Sequence, residues 1–280
     1  MGGGAWEGPE GNDLHPDLFS IGPLTIHSYG AMMALGMLAG VWLVRRLAAR
    51  SGQDAQALVD LAVFAFVAGL VGARIVHVLL DLPYFLDDPA RLLKFWEGGL
   101  AFYGGPALAV PVAFIYMKRK RLSPWRSVDT IVPALALGQA FGRVGCLLNG
   151  CCYGKPCELP WAITFHNPLS PAYIEAGPVP LQPTQVYSAV GLLCLTGLLL
   201  VAYRKKRWHG EVFCLYLVGY GALRFGLEFF RANTSGFSVA GFTAGQCVSL
   251  AAATAGAVGL SVGARRGERS ECCESRHPAS

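Results

Sequence analysis

Between Leu18 and Val44 the chain has no Asp, Glu, Lys or Arg, and the same holds for Gly98 to Met117, Pro183 to Tyr203 and Ala232 to Ala264. Each stretch supplies the roughly 20 apolar residues a helix needs to cross a hydrocarbon layer about 30 Å thick. A water-soluble chain cannot cover so much unbroken apolar sequence with polar surface. Charged residues make up only 15% of the 280, against 53% hydrophobic, which excludes an ordinary soluble domain.

The pattern predicts an all-α integral membrane protein of about seven transmembrane helices, near 24–45, 58–80, 99–117, 127–148, 183–203, 211–230 and 240–263. Residues 1–17 read as an external amino-terminal tail, 18–264 as the membrane domain and 265–280 as a cytoplasmic tail. No cleavage is expected, because the Gly-rich, acidic start lacks a basic n-region, and MGGGAW lacks the Ser or Thr of a myristoylation site. No internal repeat and no soluble domain are legible.

Orientation follows from charge. Sixteen basic residues fall in one set of connections and the carboxyl-terminal tail, including Arg45, Arg46, Arg50, Lys118 to Arg121 and Arg204 to Arg207. The opposite set holds four, Arg91, Lys94, Lys155 and Arg231, among many carboxylates. The positive-inside bias predicts an external amino terminus and a cytoplasmic carboxyl terminus. The external connections 81–98 and 149–182 then read as ordered or partly re-entrant caps over the outer leaflet. The basic inner loops would lie against anionic headgroups.

Three arginines, Arg74, Arg143 and Arg224, interrupt apolar helices. An Arg at mid-bilayer costs roughly 2.5–3.5 kcal/mol on insertion scales, so it faces a polar cavity or a partner. Glu228 follows Arg224 by four residues on the same helix face. One reading of that pair is an ion pair that joins helices; the other is that two or three arginines converge on an anionic ligand. Arg74 could instead snorkel from a helix end. Gly138 and Gly142 form a GxxxG pattern that more often marks helix packing. Guanidinium matches phosphate with paired hydrogen bonds, and phospholipid is the abundant anion beside such a pocket. The residues alone point to an outward-facing, membrane-embedded phosphate-binding cavity.

Eight blocks resemble the prolipoprotein diacylglyceryl transferase family, in family order. They are FSIGPLTIHSYG (19–30), GARIVHV (72–78), WEGGLAFYGG (96–105), SVDTIVP (127–133), GRVGCLLNG (142–150), PTQVY (183–187), YGALRFGLEFFR (220–231) and GQCVS (245–249). The resemblance implies an enzyme of the bacterial inner membrane that moves the diacylglyceryl group of phosphatidylglycerol onto the lipobox cysteine of a preprolipoprotein signal peptide. A thioether forms and glycerol phosphate leaves. It implies these two substrates and membrane lipids as partners, no nucleic acid, no cofactor and no metal. Carried residue by residue, it assigns Arg143 and Arg224 to the lipid phosphate. It gives Tyr29 and Tyr220 to hydrogen bonding of lipid or thiol, and Glu228 to orienting the arginine. Asn149 falls in the signature loop, with Arg74 as a further substrate contact. Gly98, Gly99, Gly104 and Gly105 would shape a re-entrant loop. For the two tyrosines an interfacial aromatic belt is the plainer reading. His27 reads as a general base or as a capping histidine.

Four positions depart from the commonest pattern. Tyr103 stands where many members carry His, and a neutral phenol with a pKa near 10 is a poor base at pH 7. Cys146 and Cys151 replace Asn and Glu, and Ser188 replaces Glu. Cys146, Cys151, Cys152 and Cys157 thus form a C-x4-C-C-x4-C run, open to reading as a structural disulfide, a metal site, a redox centre or buried packing residues. Cys194, Cys214 and Cys247 lie within spans as packing residues, while Cys272 and Cys273 fall in the tail. Alternatives to the transferase are a lipid or anion transporter using the same arginines, a thiol-redox membrane protein and an inactive paralogue. A transporter is expected to carry related halves with broken helices, and none is legible.

Overall fold

The structure is a computed structural model that describes residues 17–21, 24–88, 101, 103–232, 238–239 and 241–274. Its elements in chain order are β1 (Asp17–Ile21), β2 (Leu24–His27), α1 (Ser28–Arg50), α2 (Ala55–Leu80), α3 (Leu82–Asp87), α4 (Gly104–Arg119), α5 (Pro124–Leu148), α6 (Pro171–Ala176), α7 (Thr184–Lys205), α8 (Glu211–Glu228), β3 (Ser238–Val239), β4 (Phe242–Thr243) and α9 (Ala244–Glu274). Each of the seven expected spans falls on a long helix.

Five of these helices, α1, α2, α5, α7 and α9, are long and apolar enough to cross a membrane. The other two fall short for visible reasons. α4 has only 16 residues, and α8 has 18, among them Glu211, Arg224 and Glu228. Two boundaries differ from the sequence expectation. Leu24–His27, placed within the first span, instead pairs antiparallel with Asp17–Ile21, where β-branched Thr25 and Ile26 favour extended backbone. The last helix continues to Glu274, past the expected end at 263.

Local chemistry sets the helix ends. Asp54 starts α2 by accepting from the Ala57 amide at 3.0 Å, and Ser123 followed by Pro124 starts α5. α8 begins after Gly210, at φ +105. There the buried Asp129 of α5 accepts from the Gly210 amide at 2.9 Å and the Phe213 amide at 3.1 Å. Lys206 adds an ion pair at 3.2 Å. A carboxylate on one helix therefore caps the next, taking up N–H groups that would otherwise be orphaned.

The principal helix pairs are α1 with α5, α2 with α4, α5 with α7 and α8 with α9. Small residues permit the closest approaches. A Cβ on Gly72 of α2 would overlap the Gly104 carbonyl, and one on Gly104 would overlap that of Gly72. A Cβ on Gly36 would meet Phe141 Cβ at 2.9 Å and the Gly138 carbonyl at 3.2 Å, so the Gly138 pattern serves helix packing. The main core, with Val44, Leu58, Leu61, Leu199 and Val212, lies toward the Asp129 end. Large apolar side chains such as Leu38, Val110, Leu198 and Val248 face outward, as expected of surfaces solvated by lipid.

The 149–182 connection is ordered around a second small core of Tyr153, Phe165, Ala172 and Leu181. The short α6 is capped by Ser170, whose Oγ accepts from the Tyr173 amide. In the 81–98 connection the structure describes α3, while residues 89–98 lie outside the described residues.

Candidate active site

α5 and α8 carry the two arginines that the sequence puts together. Arg143, five residues before the end of α5, is half-buried, and Arg224 sits in the last turns of α8. Arg224 lies in the electrostatic field of Arg143, Arg231, Glu228 and Tyr220. Arg143 lies in that of Tyr220, Cys146, Cys151 and Cys152. Three guanidiniums therefore gather against one carboxylate. Arg231 was counted as an external loop charge, yet its Nε is buried without a hydrogen-bond partner among the described residues. It lies beyond the end of α8 and bridges to Gly154, a tertiary contact that no local sequence signal records.

Glu228 pairs with Arg224. Its Oε2 meets Arg224 Nη1 at 2.5 Å, and its Oε1 accepts from Thr243 Oγ1 at 3.1 Å. The ion pair expected from spacing is present, and it stands beside Arg143 and Arg231. Tyr220 stacks on Tyr216 at 5.4 Å with 16° between rings, and Tyr216 donates to Gln139 Oε1 at 3.1 Å. Tyr29, half-buried at the start of α1, lies beside the three cysteines and Arg143. Its ring approaches Gly145 so closely that a Cβ there would meet Tyr29 Cδ2 at 3.1 Å.

After α5 the backbone turns sharply. Asn149 caps the helix, its amide donating to the Gly145 carbonyl, and its side chain hydrogen-bonds Cys151. Gly150 and Cys152 both take left-handed backbone conformations, at φ +68 and +60. A non-glycine residue there is uncommon. α7 holds the turn: Thr184 Oγ1 donates to the Cys152 carbonyl and Gln185 Nε2 to the Cys151 carbonyl, each at 2.8 Å. This is the structural work of the PTQ segment. Cys146, Cys151 and Cys152 bring their sulfurs within 4.8 Å of one another. All four cysteines of the C-x4-C-C-x4-C run are free thiols, so the disulfide reading is not met, and Cys157 stands apart from the trio. Hydrogen bonds from Cys146 and Cys151, with the guanidiniums of Arg143 and Arg231 behind them, hold the Cys152 thiol far below the usual range.

The remaining expected site residues fall elsewhere. Arg74 is buried in α2 with its guanidinium over the Phe85 ring at 5.2 Å. Tyr103 precedes α4 and is 64% exposed. Gly104 is used in the α2–α4 contact rather than as an open cradle. His27 ends β2, with its side chain outside the described residues, as are Gly98 and Gly99. Ser188 is buried in α7. Beside the arginine group, Trp161, Tyr187, Leu223, Leu227 and Phe230 line an apolar groove of about 510 Å3. Trp161 Nε1 donates to the Tyr187 hydroxyl at 2.7 Å across it.

The arrangement suits a phosphate ester with apolar tails: a cationic end held rigidly, next to an apolar trough. Comparison with known proteins agrees. The family model described as prolipoprotein diacylglyceryl transferase matches residues 16–262. A relative from Clostridium tetani, named phosphatidylglycerol--prolipoprotein diacylglyceryl transferase, is 36% identical over 241 residues, covering 85% of this chain and 93% of its own length. Relatives of the same name from Salmonella arizonae and Bordetella avium are 34% and 35% identical. They cover 88% and 91% of this chain, and 92% and 96% of their own lengths.

Proposed function

The chain belongs to the prolipoprotein diacylglyceryl transferase family, and on that premise we propose that it transfers the diacylglyceryl group of phosphatidylglycerol to a cysteine thiol in the lipobox of a preprolipoprotein. One observation carries the reading: among the described residues, Arg143, Arg224 and Arg231 share a site with one carboxylate, that of Glu228. That excess of positive charge suits a bound phosphodiester, and suits still better the glycerol phosphate dianion that departs. Stabilisation that grows with developing charge is what lowers a barrier.

In this reading Arg224, fixed by Glu228, and Arg143 grip the phosphate, and Arg231 supplies a third contact. Tyr220 and Tyr29 orient the glyceryl carbon and the incoming thiol. The groove along Leu223, Leu227 and Phe230 receives an acyl chain. Asn149 holds the turn after α5, and Arg74 braces the α2–α3 corner through Phe85. Residues 18–264 form the catalytic domain in a bacterial inner membrane, with the amino terminus outside and the 265–280 tail in the cytoplasm. That orientation sets the arginine site at the outer leaflet, where preprolipoproteins arrive.

The test is to incubate the detergent-purified chain with phosphatidylglycerol and a lipobox peptide, and to seek the diacylglyceryl adduct by mass spectrometry. The adduct should appear with wild type and vanish with Arg143→Ala and with Arg224→Ala. A folded protein that binds phosphatidylglycerol yet forms no adduct would overturn the reading in favour of an inactive paralogue.

A further inference from the structure

Alkylation of a thiol requires a thiolate, and an ordinary cysteine has a pKa near 8.5. Tyr103 is an exposed phenol and a poor proton acceptor at neutral pH. The chain has, however, gathered three sulfurs beside the arginine site. We propose that Cys146, Cys151 and Cys152 form an open three-sulfur site for a thiophilic divalent cation, zinc by chemistry, whose fourth position takes the thiol of the client cysteine. The inference rests on the transferase reading for its client, while the metal site itself rests on the three sulfurs.

Geometry supports it first. In tetrahedral zinc–thiolate coordination, bonds of about 2.3 Å set neighbouring sulfurs roughly 3.8 Å apart. The three Sγ atoms already lie within 4.8 Å of one another, so closing on an ion takes shifts that side-chain rotation provides. The backbone brings them there by design. Cys146 lies in the last turn of α5, and its carbonyl accepts from the Cys151 amide at 3.0 Å. Adjacent residues in extended chain point to opposite sides. The left-handed backbone at Cys152 removes that alternation, and such outliers persist only where surroundings enforce them. Thr184 and Gln185, each at most 2% exposed, do so by holding the two cysteine carbonyls.

Donor type and charge decide the ion. An all-sulfur set selects zinc and other soft cations over magnesium or calcium. Three thiolates around a divalent ion leave one negative charge, which faces Arg143 and Arg231. Structural zinc sites are closed by four protein ligands, whereas three protein ligands with an exchangeable position mark a reactive one. Among the described residues the group has three members.

The step balances. The client Cys–SH loses its proton to water as its sulfur takes the fourth position, since a coordinating thiol is deprotonated outright. The thiolate sulfur then attacks the glyceryl carbon. The bond from that carbon to the phosphate oxygen breaks, and its electron pair leaves with glycerol phosphate. One thiolate and one phosphodiester monoanion become a neutral thioether and a phosphate dianion, which Arg143, Arg224 and Arg231 hold. The neutral thioether is a weaker ligand and departs, reopening the position.

The test uses the full chain purified in detergent without chelator. Metal analysis should find one zinc per chain, lost in Cys146→Ser, Cys151→Ser and Cys152→Ser variants that still bind phosphatidylglycerol. Wild type reconstituted with cobalt needs no variant: it should show a sulfur-to-metal charge-transfer band that shifts on adding a lipobox peptide and stays put with the Cys→Ser peptide. Stripping the metal should slow adduct formation about a hundredfold or more, the scale of a lost proton acceptor, and zinc should restore it. A spectrum blind to the peptide, substoichiometric metal, or full activity in metal-free protein would each overturn the inference. Failure of the transferase reading looks different: metal binds and the peptide shifts the spectrum, but phosphatidylglycerol yields no adduct.

Discussion

Glu228 follows Arg224 by one helical turn and meets it at 2.5 Å, with the carboxylate side chain 4% exposed and the guanidinium side chain 21%. The order is the less favourable one for helix stability. A cation preceding an anion, with the anion at the helix carboxyl end, opposes the macrodipole. The pair is therefore explained by orientation rather than by stability, with Thr243 gripping the second carboxylate oxygen.

Glu228→Gln should accordingly cut turnover by roughly 10- to 100-fold while the protein remains folded. Thr243→Val should act in the same direction and more weakly. Turnover on phosphatidylglycerol and a lipobox peptide, beside a thermal melt, checks this. Unchanged turnover in Glu228→Gln would remove the orienting role.

Arg231 Nε is buried without a hydrogen-bond partner among the described residues. Arg231→Ala should weaken phosphatidylglycerol binding by about tenfold, near 1.4 kcal/mol. Arg231→Lys should recover part of the loss, because charge is kept and the planar fork is not. Titration of phosphatidylglycerol against intrinsic fluorescence measures it, and equal affinities for all three proteins would remove Arg231 from the site.

Thr184→Val and Gln185→Leu each free one carbonyl of the Cys151–Cys152 turn. Both should lower adduct formation by more than they lower the melting temperature, since the overall bundle does not depend on them. Limited alkylation of the cysteines should become faster in both variants as the turn loosens. A fall in stability with undiminished activity per folded molecule would mark these contacts as structural only.

Asp129→Ala leaves the Gly210 and Phe213 amides and Lys206 without their buried acceptor. Loss of such an acceptor costs about 3 kcal/mol. The melting temperature should drop by several degrees, and Asp129→Asn should recover little because its amide can serve only part of the set. A melt within one degree of wild type would contradict the capping account.

Burial, and then the 2.6 Å hydrogen bond to Glu175, pushes the Tyr153 phenol up to about 12. A raised folded value means its contribution is complete below the free phenol's pKa near 10 and fades as pH climbs toward 12. In alkaline difference spectra Tyr153 should be among the tyrosines that titrate late, and Tyr153→Phe should shrink that late component by one phenol. A normal titration of all tyrosines would place Tyr153 in water.

Much of this was legible beforehand. The long apolar stretches located seven helices because a bilayer makes length and polarity sharp constraints, and Arg143, Arg224 and Glu228 stood out against an apolar background. Arg231 did not, since it lies past the end of α8 and is held by a bridge to Gly154 in a distant connection. Leu24–His27 read as helix because hydropathy does not distinguish a strand from a helix end. The grip of Thr184 and Gln185 on a turn more than 30 residues earlier depends on tertiary contact, which no local pattern records. Arg74 was open to a snorkelling reading, and its place over the Phe85 ring is a tertiary contact that the sequence does not record.

Asp129 lies fourteen residues before Arg143 along α5, and Phe213, which it holds, lies eleven before Arg224 along α8. At about 1.5 Å per residue the arginines ride roughly 17–21 Å from that joint. The joint is thus the fulcrum of a pair of tongs. A splay of about 10° there opens the jaws by about 3 Å over such arms, comparable to the difference between gripping a phosphate and letting it go. Under the proposed function, a fully buried carboxylate far from the lipid site thus bears on the spacing of the two arms, together with the Tyr216–Gln139 bond between them.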